Sequence, residues 1–82
     1  MTEKQNEYIK ALAAELENEN VIITYTPSFL GGFETIRMAV SKKGNDRMVI
    51  VNGLVPSGTG NWGTSIKTVK QQINRDYGEK IV

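Results

Sequence analysis

The chain has 82 residues, 39% of them hydrophobic and 23% charged, with a formal net charge of +1 and neither cysteine nor histidine. A chain this short buries only roughly 60–65% of the surface its unfolded form exposes, so a single domain over residues 1–82 with a thin core is expected. The missing residue types exclude disulfides, thiol chemistry, cysteine zinc sites and the usual nucleophile and general-base constellations, which argues against an enzyme.

The first signal along the chain is Thr2 and Gln5 at capping-box spacing, followed by Tyr8, Ile9, Leu12, Ala13 and Leu16 at helical spacing; together they predict a helix over 3–18. The same segment is polar and acidic where a secretory leader needs a basic start and an apolar stretch. No run elsewhere has the length of a membrane span, and with no cysteine the expected location is cytoplasmic. Val21 to Thr26 is a β-branched and aromatic run that predicts a strand, which Pro27 stops. After Ser28-Phe29-Leu30-Gly31-Gly32, alternation predicts a second strand over 33–41. Ile36, Met38 and Val40 fall on one face, and Phe33, Thr35, Arg37 and Ala39 on the other. Lys42 to Asp46 is turn chemistry, and Arg47 to Val51 reads as a third strand, paired as an antiparallel hairpin. Asn52-Gly53 is itself a hairpin signal that lets Leu54-Val55 return as a short fourth edge strand before Pro56 ends the pairing.

A glycine-rich segment from Pro56 to Ser65 then leads into a second helix over 65–77. Thr64 or Ser65 is its expected cap, Ile66, Val69, Ile73 and Tyr77 its apolar stripe, and Gly78 its C-terminal stop. The fold class is therefore α+β, of order αβββα: a three-stranded antiparallel sheet with two helices on one face. Strands one and three are apolar on both sides, so the uncovered face is expected either to form a homodimer or to be closed by the long loops.

The glycine-rich segment is the candidate site. Gly58, Gly60 and Gly63 match Gly-x-Gly-x-x-Gly after an apolar strand and before a helix, but no second strand with an acidic residue follows, so dinucleotide binding is rejected. No Gly-Lys-Ser/Thr triplet closes the loop either, which removes a nucleotide-triphosphate loop. What remains is a backbone nest for phosphate made by Gly58, Gly60, Gly63, Thr64 and Ser65 with Lys67 and Lys70 on the helix flank, set against a plain connector. Lys67, Lys70 and Asn74 likewise read as a phosphate track or a solvated face. The lone Trp62 caps the thin core, stacks on a base, or anchors a protein interface; Phe29 and Leu30, in the other glycine-containing loop, favour the last.

Charge is unevenly spread. Up to Asn20, Lys4 and Lys10 stand against five glutamates, whereas the remainder carries eight basic and four acidic residues. Glu15, Glu17 and Glu19 either solvate a helix end or offer a negative face to a basic protein groove. Asp46 and Glu34, the acids near the sheet, read as a turn residue and a cross-strand charge, so neither a metal nor a cofactor is expected.

The element order resembles double-stranded-RNA-binding domains and, more loosely, HicA-type toxins, which open their last helix with Gly-Thr as Gly63-Thr64 stands here. The likeness covers most of the chain by order of elements and residues 63–73 by sequence. HicA-type enzymes depend on a histidine that this chain lacks, so the resemblance implies no RNA cleavage; for the RNA-binding domains it implies contacts at Lys67 and Lys70, beside a first helix of the wrong sign. Two functions follow as expectations. The favoured one is a non-enzymatic protein-binding module through Phe29, Leu30, Trp62, Glu15, Glu17 and Glu19, such as an inhibitor or adaptor of the style encoded by phages and mobile elements. The other is nucleic-acid or nucleotide-phosphate binding through Gly58 to Ser65 and the basic helix flank.

Overall fold

Thr2 starts the fold with a capping box: its Oγ1 accepts from the Gln5 backbone N–H at 3.1 Å, and its own N–H donates to Gln5 Oε1 at 2.9 Å. The computed structural model describes residues 1–58 and 62–82. Its elements, in chain order, are α1 (Glu3–Leu16), β1 (Val21–Leu30), β2 (Phe33–Lys42), β3 (Met48–Leu54) and α2 (Gly63–Tyr77). The α+β order αβββα is thus as expected, with one antiparallel sheet ordered β1-β2-β3.

Several boundaries differ from the sequence expectation, each for a physical reason. Residues α1 was expected to include at its C-terminal end fall outside it: Glu17 is extended and caps the helix. β1 does not stop at Pro27 but continues to Leu30, pairing Pro27 with Ile36. It is an edge strand, where a missing N–H need not break a ladder. Gly31 and Gly32, at φ of 59° and 83°, make the two-residue turn that joins Leu30 to Phe33, a geometry that requires positive φ at both positions. Asn52 and Gly53 are not a turn and there is no separate fourth strand among the described residues, because both lie inside β3, opposite Arg37 and Ile36. Gly53 serves a close approach instead: a Cβ there would meet Met38 Cε and Val69 Cγ2 at 3.2 Å.

Both helices lie on the sheet face that carries Ile36, Met38, Val40 and Val51. Tyr8, Leu12 and Leu16 of α1 and Ile66, Val69, Ile73 and Tyr77 of α2 complete one buried cluster. α2 runs against β3 and α1 against β2. The C-terminal Ile81 and Val82 fold back onto this core, held by Asn74, whose Oδ1 accepts from their N–H groups at 2.7 and 3.1 Å. Neither the two-residue turn nor the link from β2 to β3 covers the second face of the sheet, which corrects the expectation that loops close it.

Gln5 ties the layers together. It is fully buried, and beyond its capping role its Nε2 donates to the carbonyls of Ser28 at 3.0 Å and Thr35 at 3.3 Å, so one amide joins the start of α1 to the end of the β1–β2 hairpin. Gln5→Leu is expected to lower unfolding free energy by about 2–3 kcal/mol, since it removes the cap and leaves two carbonyls without their donor. Urea unfolding checks this, and an unchanged midpoint would refute it.

Candidate functional site

α2 begins two residues earlier than the hydroxyl caps predicted. Trp62 occupies the N-cap with no side-chain cap bond, and Gly63 and Thr64 are already helical. The Ser65 hydroxyl, offered from sequence for phosphate, is engaged with the Tyr8 hydroxyl at 2.6 Å. Burial raises the Tyr8 pKa, and the Ser65 bond partly offsets that rise. Trp62 stacks edge-on against Tyr8, with ring centroids 5.4 Å apart, and its indole N–H donates to the Gly58 carbonyl at 3.2 Å. It is half-buried against the core, the core-capping alternative among its three readings. Gly60 lies outside the described residues.

Trp62, Gly63, Lys67 and Lys70 nonetheless share one feature: an open groove of about 590 Å³ between α1 and α2, floored by Ala11, Ala14 and Ile66 and faced by Glu15 from the α1 side. The structure therefore brings a residue of each expected site into one place, and puts an acid opposite the two lysines. Asn74 does not extend the lysine stripe toward a ligand, since its amide is committed to the C-terminal residues.

The three glutamates do not form one face. Glu15 lines the groove and Glu19 sits in the exposed turn ahead of β1. Glu17 stands near Tyr25, whose hydroxyl is buried without a hydrogen-bond partner; burial first and the Glu17 charge second push this phenol well above its ordinary value.

Phe29 and Leu30 are exposed, 61% and 66%, at the hairpin end of β1, in a different layer from Trp62. Phe29, opposite Glu34, alternates onto the helix side of the sheet, so the two expected anchors do not share a face; Leu30 belongs to a larger surface that sequence reasoning had not assembled. Register places Leu30 beside Phe33, and Thr35 between Ser28 and Leu54. Arg37 lies between Thr26 and Asn52, Ala39 between Thr24 and Ile50, and Ser41 between Ile22 and Met48. These rows make up the face turned away from both helices. At its hairpin end Leu30, Phe33 and Leu54 are at least 60% exposed, and at its other end Ile22, Met48 and Ile50 are exposed as well. The alternation of β2 already put Phe33 and Arg37 together; Leu54 joined them only once β3 was known to run unbroken to Leu54.

No group of three His, Cys, Asp or Glu side chains among the described residues is placed to hold a metal ion, and no described helix is long and apolar enough to cross a membrane. Comparison with known proteins finds no matching family model, no matching curated protein and no matching solved structure.

Two measurements separate structural from binding roles here. Trp62→Ala is expected to cost about 2 kcal/mol in chemical denaturation, as loss of a half-buried ring packed on Tyr8; a change within about 0.5 kcal/mol would return Trp62 to the surface. The second concerns the two phenols, whose ordinary value is 10.0 and whose shifts are upward. Above that value the unfolded chain loses protons that the folded chain keeps, so stability is unaffected below it and falls as pH rises through it. Tyr25→Phe should hold or gain up to about 1 kcal/mol at neutral pH and move alkaline unfolding upward, read by circular dichroism. A downward move would contradict the unpartnered hydroxyl.

Proposed function

We propose that the protein is a non-enzymatic binding module that engages a protein partner through the uncovered face of its sheet, as an inhibitor or adaptor acting in the cytoplasm. One observation carries the reading: Ile22, Leu30, Phe33, Met48, Ile50 and Leu54, all large and apolar, stand exposed on a single face. Scattered apolar residues are ordinary on a surface, whereas exposed apolar clusters gathered at the two ends of one sheet face support an interaction site. Aromatic and long aliphatic side chains are also the usual anchors of such interfaces. The cysteine- and histidine-free composition supports binding over catalysis.

Nucleotide-phosphate binding in the groove is the second reading. Its support is the meeting of Trp62, Lys67 and Lys70 in one concavity, together with the resemblance in element order to double-stranded-RNA-binding domains. It weighs less because Glu15 faces the lysines, and two cations make few phosphate contacts.

The readings separate in one experiment. Phe33→Asp and Leu54→Asp, both at exposed positions, should change stability by no more than about 0.5 kcal/mol and abolish capture of a nuclease-resistant partner from host lysate. Lys67→Ala with Lys70→Ala should leave that capture intact. If instead the lysine pair abolishes binding, in a titration with duplex RNA that weakens steeply with salt, the groove is the site.

A further inference from the structure

Arg37 occupies the middle of the uncovered face. β2 is the central strand, and the Thr26–Arg37–Asn52 row has two rows of the face on either side. It is the only charged residue in those rows, it is exposed, and among the described residues no carboxylate pairs with it. Apolar groups lie toward both ends of the face, while threonine, asparagine and arginine make its centre.

We infer that the partner is a different protein whose apolar surface carries a carboxylate at its centre, and that Arg37 keeps a second copy of this chain from taking its place. The inference rests on the proposed function. Its geometric step is that a two-fold interface is self-complementary, so the residue at its centre meets its own copy. Because Arg37 is central both across the strands and along them, any two-fold axis centred on the face sets guanidinium against guanidinium in a surface being desolvated. An off-centre axis avoids the clash only by leaving one apolar end uncovered. Like charges so placed oppose association, whereas an opposing carboxylate is a bidentate partner for arginine. A single cation on the face is also too little charge to hold a nucleic-acid backbone.

The test uses the chain and two variants, each checked for fold by circular dichroism and measured by sedimentation equilibrium. The unaltered chain and Arg37→Glu are each expected to be monomeric alone. Their equimolar mixture should associate at least about tenfold more tightly than either homodimer and weaken with salt, and Arg37→Leu should self-associate. Adding Phe33→Asp to both members should dissolve the mixed species, which distinguishes the face from a free strand edge. Self-association of the unaltered chain as tight as the mixture, and lost on Phe33→Asp, would overturn the role of Arg37 while leaving the face as a binding surface. If neither the mixture nor Arg37→Leu associates, the face is not adhesive, and the proposed function falls with the inference. Binding of a single-stranded RNA 12-mer that is lost in Arg37→Leu would overturn the protein partner in favour of nucleic acid.

Discussion

Two helices can cover one face of a three-stranded sheet and no more, and that constraint governs this molecule. Strands about 4.8 Å apart give a sheet whose width is spanned by two helices packed about 10 Å apart, so α1 and α2 exhaust their apolar stripes on Ile36, Met38, Val40 and Val51. Among the described residues, neither the two-residue turn after β1 nor the link from β2 to β3 lies over the other side. Gly31-Gly32 turns the first hairpin in two residues, and the C-terminal Ile81 and Val82 return to the helix side, where Asn74 fixes them. The exposed apolar face follows from the topology, and nothing in the described fold relieves it.

Much of the topology was legible because the strongest signals were local. The capping box at Thr2 and Gln5, the 3.6-residue stripes of both helices and the alternation of β2 act within a few residues of sequence. The errors came where tertiary position overruled local preference. Pro27 ends a strand in isolation and is harmless on an edge. Asn52-Gly53 is a turn in isolation, yet it lies inside β3, where a Cβ at Gly53 would meet Met38 Cε and Val69 Cγ2 at a tight 3.2 Å. Ser65 is a good helix cap in isolation and was taken by the Tyr8 hydroxyl instead. The sequence carries no mark of these long-range partners.

The candidate site was legible in part for the same reason. Phe29 and Leu30 stood out beside their glycines, but they alternate to opposite faces, and the surface to which Leu30 belongs needs three strands in register; misreading the end of β3 hid Leu54 from it. Trp62 drew attention as a lone aromatic in a glycine-rich loop, although its ring closes the helix layer over Tyr8. Its groove and the sheet face lie in different layers, so one molecule has two distinct surfaces. The sheet face displays six exposed large apolar side chains, whereas the groove mixes Ala11, Ala14, Ile66 and Trp62 with the charged Glu15, Lys67 and Lys70.

An open apolar face would be indiscriminate if apolarity were all it had. Hydrophobic contact is non-directional and rewards any surface of suitable shape, including a second copy. Arg37 changes this, since covering it without a counter-charge leaves a desolvated guanidinium, at a penalty of several kcal/mol. That penalty falls on every apolar partner lacking a carboxylate in the right place, and most heavily on one that brings another cation. The apolar ends of the face thus supply attraction while its centre supplies selection, and the two are separated by only a few residues of β2, from Phe33 to Arg37.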